Sequence, residues 1–193
     1  MSEHERERLP VRVIVASTVI ALLAALATYV VLEGGDDGEQ AGADDTVVLD
    51  LDGNVTVDKD SVTFQTYEGE EVALASLRGG PVLVNFFAST CAPCIEEMPA
   101  LEEIHQELGD QVTFLGLAVQ DRPEDALDLV ERTGVSYRTA LDKRGDVIYA
   151  LGGILLPTTV VLDADGEIVG SHTGELTADE IRTLLTESLG LGA

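Results

Sequence analysis

The chain has 193 residues, 45% of them hydrophobic and 24% charged, which suits one ordinary domain with additional segments and excludes wholesale disorder. Its formal net charge of -25 makes it repel phosphate backbones, so nucleic acid is excluded as a partner. Aromatic residues make up only 4% and tryptophan is absent, so Val, Leu and Ile must fill the core.

Residues 1–12 carry Arg6, Arg8 and Arg12 against Glu3, Glu5 and Glu7, which balance. Val13 to Leu32 then runs for 20 residues without a charge. At the helical rise this spans roughly 30 Å, the thickness of a bilayer's hydrocarbon core, and the run is apolar on every side. No lysine or arginine follows it until Lys59. The positive-inside bias therefore predicts a cytoplasmic segment 1–12, a transmembrane anchor 13–32 and an extracytoplasmic remainder. Ala25-Leu26-Ala27 also fits a small-x-small cleavage pattern, but the run is long for a signal peptide, and cleavage would leave an apolar stub. An uncleaved anchor is the preferred reading.

Residues 33–60, opening with EGGDDGEQAGADD, read as a solvated acidic linker. Within them Val47–Leu51 and Val55–Val57 flank Asp52-Gly53-Asn54, the turn chemistry of a small hairpin. From Ser61 the pattern is regular, and residues 61–193 are expected to form the folded domain. Ser61–Tyr67 and Glu71–Leu74 around Glu68-Gly69 predict an antiparallel pair. Pro81–Phe87 is almost continuously apolar, as a strand buried on both faces should be. A helix to about Leu108 follows, then a second buried strand at Val112–Val119 and a helix at Pro123–Thr133 ended by Gly134.

A short element near Tyr137–Leu141 and a helical turn near Val147–Leu151 come next. Thr158–Leu162 and Glu167–Thr173 predict a hairpin, and Thr177 with Glu180 forms a capping box at the start of the last helix. Two crossovers should leave three strands parallel, with the final hairpin adding an antiparallel one. The expected class is α/β, a mixed central sheet with flanking helices in an order that resembles the thioredoxin topology.

The only cysteines, Cys91 and Cys94, lie in Ser89-Thr90-Cys91-Ala92-Pro93-Cys94, just past a buried strand and at the mouth of a helix. Unpaired helix N–H groups and the helix dipole favour a thiolate there. The spacing lets Cys94 resolve a mixed disulfide formed at Cys91. A structural disulfide would close too short a loop to stabilise much, and a zinc site would need about four ligands, whereas His4, His105 and His172 are scattered. The redox reading is preferred.

The segment PVLVNFFASTCAPCIEEMPALEEI, followed by LPTTVVLDADGEIVG behind a single anchor, resembles the membrane-tethered TlpA/ResA-like thiol-disulfide oxidoreductases of the thioredoxin superfamily. The likeness covers about Ser61 to Leu189. It implies that Cys91 is the exposed nucleophile and Cys94 the buried resolving thiol, with their disulfide serving in place of a separate cofactor or metal. It implies that Pro157 is a cis-proline beside that pair, although an isolated proline here would read as an ordinary strand start. The Leu156 backbone would then pair with an extended substrate segment.

Glu97, alone, reads as a solvated helix residue; the resemblance implies a carboxylate that tunes thiol protonation. Pro99 reads as a helix kink. Asn85 stands where cytoplasmic thioredoxins carry a titrating aspartate, so that relay is absent. Thr90 and Phe87 occupy positions where the family has tryptophan, leaving the rim less apolar. The implied partners are protein thiols or disulfides and a membrane redox partner that recycles the pair. The implied role is reductive, such as preparing cysteines for cytochrome c maturation or a copper site. Two other readings stay open: a thiol peroxidase, and a copper metallochaperone with His172 as the only histidine ligand at hand.

Overall fold

The computed structural model describes residues 47–49, 55–57, 59 and 61–191. The expected anchor at 13–32 and most of the linker at 33–60 lie outside the described residues. Among the described residues no helix is long and apolar enough to cross a membrane. Strands β1 (Val47–Leu49) and β2 (Val55–Val57) form the small antiparallel hairpin that the Asp52-Gly53-Asn54 turn predicts, pairing Val47 with Val57.

The main sheet contains β3 (Thr63–Gln65), β4 (Glu71–Ala73), β5 (Val82–Phe87), β6 (Thr113–Val119), β7 (Arg138–Asp142), β8 (Thr158–Leu162) and β9 (Ile168–Thr173). They lie in the order β4-β3-β7-β6-β5-β8-β9. Strands β5, β6 and β7 are parallel, and β8 runs antiparallel to β5 and to β9. This is the expected mixed sheet. The β3–β4 hairpin is shorter than the pattern suggests and joins the sheet through one bridge, Gln65 to Leu141.

The helices are α1 (Ala92–Leu108), α2 (Pro123–Thr133), α3 (Asp146–Ala150) and α4 (Ala178–Leu189), and a 3-10 turn at Leu74–Leu77 adds an element the sequence pattern does not signal. Strand alternation divides the core. Leu83 and Phe87 of β5 face α1, α2 and α4, where they meet Met98, Leu101, Leu129 and Ile181. Val82, Val84 and Phe86 face the other way, toward Leu74, Val147 and Ile148. Both crossover helices lie on one face because the chain steps in one direction from β5 to β6 to β7.

Local signals set the helix ends. Thr177 and Glu180 cap α4 reciprocally, and Gly134 ends α2 in the left-handed region at φ 71°. Pro99 sits inside α1, which continues through it to Leu108. Gly116 of β6 leaves room for tight packing, since a Cβ there would lie 3.1 Å from both Thr139 and Tyr137.

Candidate active site

Strand β5 ends at Phe87, and the chain reaches Cys91 through a turn closed by the Cys91 N–H donating to the Ala88 carbonyl at 3.0 Å. Cys91 is the N-cap of α1, and Pro93 occupies the first turn, where a missing N–H costs nothing. Cys91 and Cys94 form a disulfide with Cα atoms 5.3 Å apart. The Cys94 N–H points at the Cys91 sulfur at 3.3 Å, the donor a thiolate would use. Cys91 is partly exposed between exposed neighbours Thr90, Ala92 and Pro93, while Cys94 is only 1% exposed. The two sulfurs thus differ in access as nucleophile and resolving thiol require.

Glu97 stands one turn beyond Cys94 on the same face of α1 and is 2% exposed. The solvated reading of this residue does not hold. Its carboxylate accepts from Asn85 Nδ2 at 2.9 Å and from the Leu176 N–H at 3.1 Å. Burial pushes its pKa up to about 7, against the lowering effect of those two donors, and the nearby charge of Glu175 adds to the rise. A groove of about 490 Å³ between α1 and the loop before α4 reaches Glu97, and the carboxylates of Glu96, Glu103 and Glu175 line it.

Asn85 is 1% exposed in the middle of β5. Its amide also donates to Thr159 Oγ1 at 3.1 Å, while its Oδ1 has no partner among the described residues. Asn85, Glu97, Thr159 and Leu176 form a polar seam under the cysteines that joins β5, α1, β8 and the loop before α4.

The Leu156–Pro157 peptide is cis. Phe86 pairs with Thr158, so the register carries Pro157 to the end of the sheet from which the chain leaves for Cys91. The Pro157 carbonyl accepts from the Gly174 N–H at 2.9 Å, and no hydrogen bond of the described residues uses the backbone of Leu156. Just before it, Ile154 and Leu155 are 80% and 62% exposed. Phe87 is fully buried in the core, and Thr90 is exposed where an indole would have covered the rim. His172 is exposed on β9, opposite Thr159. Among the described residues no three His, Cys, Asp or Glu side chains converge as metal ligands.

Sequence reasoning missed Asp121, just past β6. Its carboxylate accepts from the Ser89 N–H at 2.5 Å and from the Ser89 hydroxyl at 2.9 Å. No short-range pattern marks it, because its partner Ser89 lies 32 residues earlier in the chain.

Comparisons with known proteins agree with this geometry. The Redoxin family model matches residues 58–186. The chain is 35% identical over 123 residues to thiol-disulfide oxidoreductase ResA of Halalkalibacterium halodurans, covering 63% of this chain and 70% of that protein. It is 33% identical over 118 residues to ResA of Geobacillus thermodenitrificans, covering 60% and 67%. Among solved structures, a DsbF homologue from Corynebacterium diphtheriae is 30% identical with a TM-score of 0.58, over 64% of this chain and 82% of that one. MTB DsbF, at 24% identity and a TM-score of 0.61 over 66% and 95%, shares the fold. With a Cys-x-x-Cys disulfide at the mouth of a helix and relatives of this kind, the chain belongs to the Redoxin family as a ResA-like thiol-disulfide oxidoreductase.

Proposed function

We propose that the protein works outside the cytoplasmic membrane, held there by residues 13–32, and reduces disulfides of protein substrates. The observation that carries the chemistry is the asymmetry of the pair: Cys91 open at a helix mouth, Cys94 enclosed one turn behind. In the reduced protein the Cys91 thiolate attacks a substrate disulfide, one substrate thiolate leaves, and a mixed disulfide forms. Cys94 then attacks the Cys91 sulfur, the second substrate thiolate departs, and the Cys91–Cys94 disulfide closes. Two electrons pass to the substrate, and a membrane redox partner supplies two more to reduce the Cys91–Cys94 disulfide again.

Glu97 supports this cycle as the nearest buried acid. With a pKa raised to about 7 it can hold or release a proton near neutrality as Cys94 changes between thiol, thiolate and disulfide. The open backbone of Leu156 suits strand-like pairing with an extended substrate, and exposed Ile154 and Leu155 beside it suit apolar contact. The positive charges of residues 1–12 and the uncharged run after them support the topology. Preparation of cysteines for cytochrome c maturation, or for a copper site, is the role that ResA-like resemblance favours.

Insulin reduction by the full chain in detergent, with a dithiol as electron source, tests the activity. Wild type should turn over, Cys91→Ser should abolish turnover, and Cys94→Ser should accumulate mixed disulfides. A wild-type rate no faster than the free dithiol would sink the reading. A midpoint potential near that of the strongest oxidants, about -120 mV, would reverse the direction.

A further inference from the structure

We propose that Asp121 is a positioning residue, clamping the turn before Cys91 so that the nucleophilic sulfur stays over its helix N–H donor. The proposal rests on the thiol-exchange reading above. Only three residues separate the end of β5 from Cys91, and the turn they make has one internal hydrogen bond, Cys91 N–H to Ala88 O. Thr90 is exposed. What ties this turn to the sheet is the pair of bonds from Ser89, through N–H and hydroxyl, to the two oxygens of Asp121. A charged acceptor taking two donors from one residue fixes both position and rotation.

A second observation points the same way. Asp121 follows Gln120, the one non-glycine residue among the described residues with a positive φ, 50°. That conformation is unfavourable for a residue with a side chain, and such strain persists where surrounding contacts enforce it. Here the Gln120 N–H donates to the Asp142 carbonyl and its side-chain amide to the Arg144 carbonyl, both at 2.9 Å. The left-handed step turns the chain at the end of β6 as Asp121 comes to Ser89 on the neighbouring strand's loop. The Arg122 N–H donates to Asp121 Oδ1 at 2.9 Å, while the Arg122 guanidinium turns to Glu124 and Asp125. The carboxylate is thus oriented toward the active-site turn by backbone on its own side.

The clamp has an electrostatic signature that separates it from a plain charge effect. A negative charge near Cys91 disfavours its thiolate, so loss of that charge alone would move the Cys91 titration to lower pH. Loss of the clamp does the reverse, because a relaxed turn takes the sulfur off the Cys94 N–H, now at 3.3 Å. Tyr67 lies close enough to Asp121 to feel its charge, and neither it nor Glu97 is altered in these variants.

The test is the pH profile of Cys91 alkylation in the reduced full chain, beside insulin reduction and the melting temperature. Asp121→Ala should raise the Cys91 midpoint by about one pH unit and slow disulfide exchange about tenfold. Asp121→Asn, which keeps one acceptor for Ser89, should shift it upward by less. Ser89→Ala retains the amide bond and should give a small upward shift; it serves if Asp121→Ala fails to fold. Equal downward shifts in Asp121→Ala and Asp121→Asn would overturn the clamp in favour of charge. A profile unmoved in Ser89→Ala as well as in Asp121→Ala, so that no loss of charge can mask the shift, would overturn it in favour of a structural bond, even with a lower melting temperature. Failure of the wild type to reduce insulin would instead defeat the functional reading, while the alkylation profile would still judge the clamp.

Discussion

The two faces of the central sheet are built from the same strands and differ in what they bury. On the α3 face, β5 presents Val82, Val84 and Phe86, and the packing there is apolar apart from Asp142 and Thr158. Asp142 is used locally: its carboxylate accepts from the Gly145 and Ile148 N–H groups and starts the short helix. On the α1 face the alternating positions are Leu83, Asn85 and Phe87, and the middle one is given to an amide that meets a glutamate from α1. One face spends its buried acid on starting a short helix, while the other pairs an amide with a carboxyl three residues beyond Cys94. On the proposed function, this difference marks where the proton chemistry lies: at a single position of the strand's alternation, below the helix mouth.

Substitutions on the two faces should therefore behave differently. The largest effect belongs to the apolar face, where Phe86→Ala should lower unfolding free energy by about 3–5 kcal/mol in denaturant titration. It should leave the Cys91 alkylation profile of the folded protein unchanged, and a shift in that profile would show the two faces to be coupled.

Next comes Glu97, through pH. Its folded pKa is raised to about 7 from an ordinary 4.5, so the stability this adds is fully present below the lower value and lost as pH rises through the upper one. The oxidised protein should lose about 3 kcal/mol relative to Glu97→Gln between those limits, and the difference should be flat above them. Parallel stability curves for the two proteins across that window would refute an acid held neutral by burial.

The smallest change is at Asn85. Removing its amide in Asn85→Ala takes a donor from charged Glu97, which should titrate still higher, and should cost about 1–3 kcal/mol above pH 8 but less below pH 5. Carbon-13 detected titration of the Glu97 carboxyl checks the direction.

Much of this site was legible in the residues. Cys91 and Cys94 declared themselves by spacing and by their place between a buried strand and a helix. Pro157 was marked through resemblance, and its peptide is cis. Glu97 was found but not its environment, because a glutamate in an amphipathic pattern reads as a surface residue until a partner strand covers it. Asp121 was passed over as one more acid before a helix whose first turn holds Glu124 and Asp125. The 3-10 turn at Leu74–Leu77 has no proline, capping side chain or periodicity to announce it.

What the amino-acid order determined alone is what neighbours in the chain decide: strand alternation, the capping box at Thr177, the thiol pair at a helix mouth. These are short-range effects, set by rotation per residue and by hydrogen bonds spanning a few positions. Only the tertiary structure brought Asn85 to Glu97, Glu97 to the Leu176 N–H, and Asp121 to Ser89, across 12, 79 and 32 residues. Those contacts depend on strand register and on which face each helix covers. Burial and long-range donors then decide the protonation of a carboxylate that the sequence can only name.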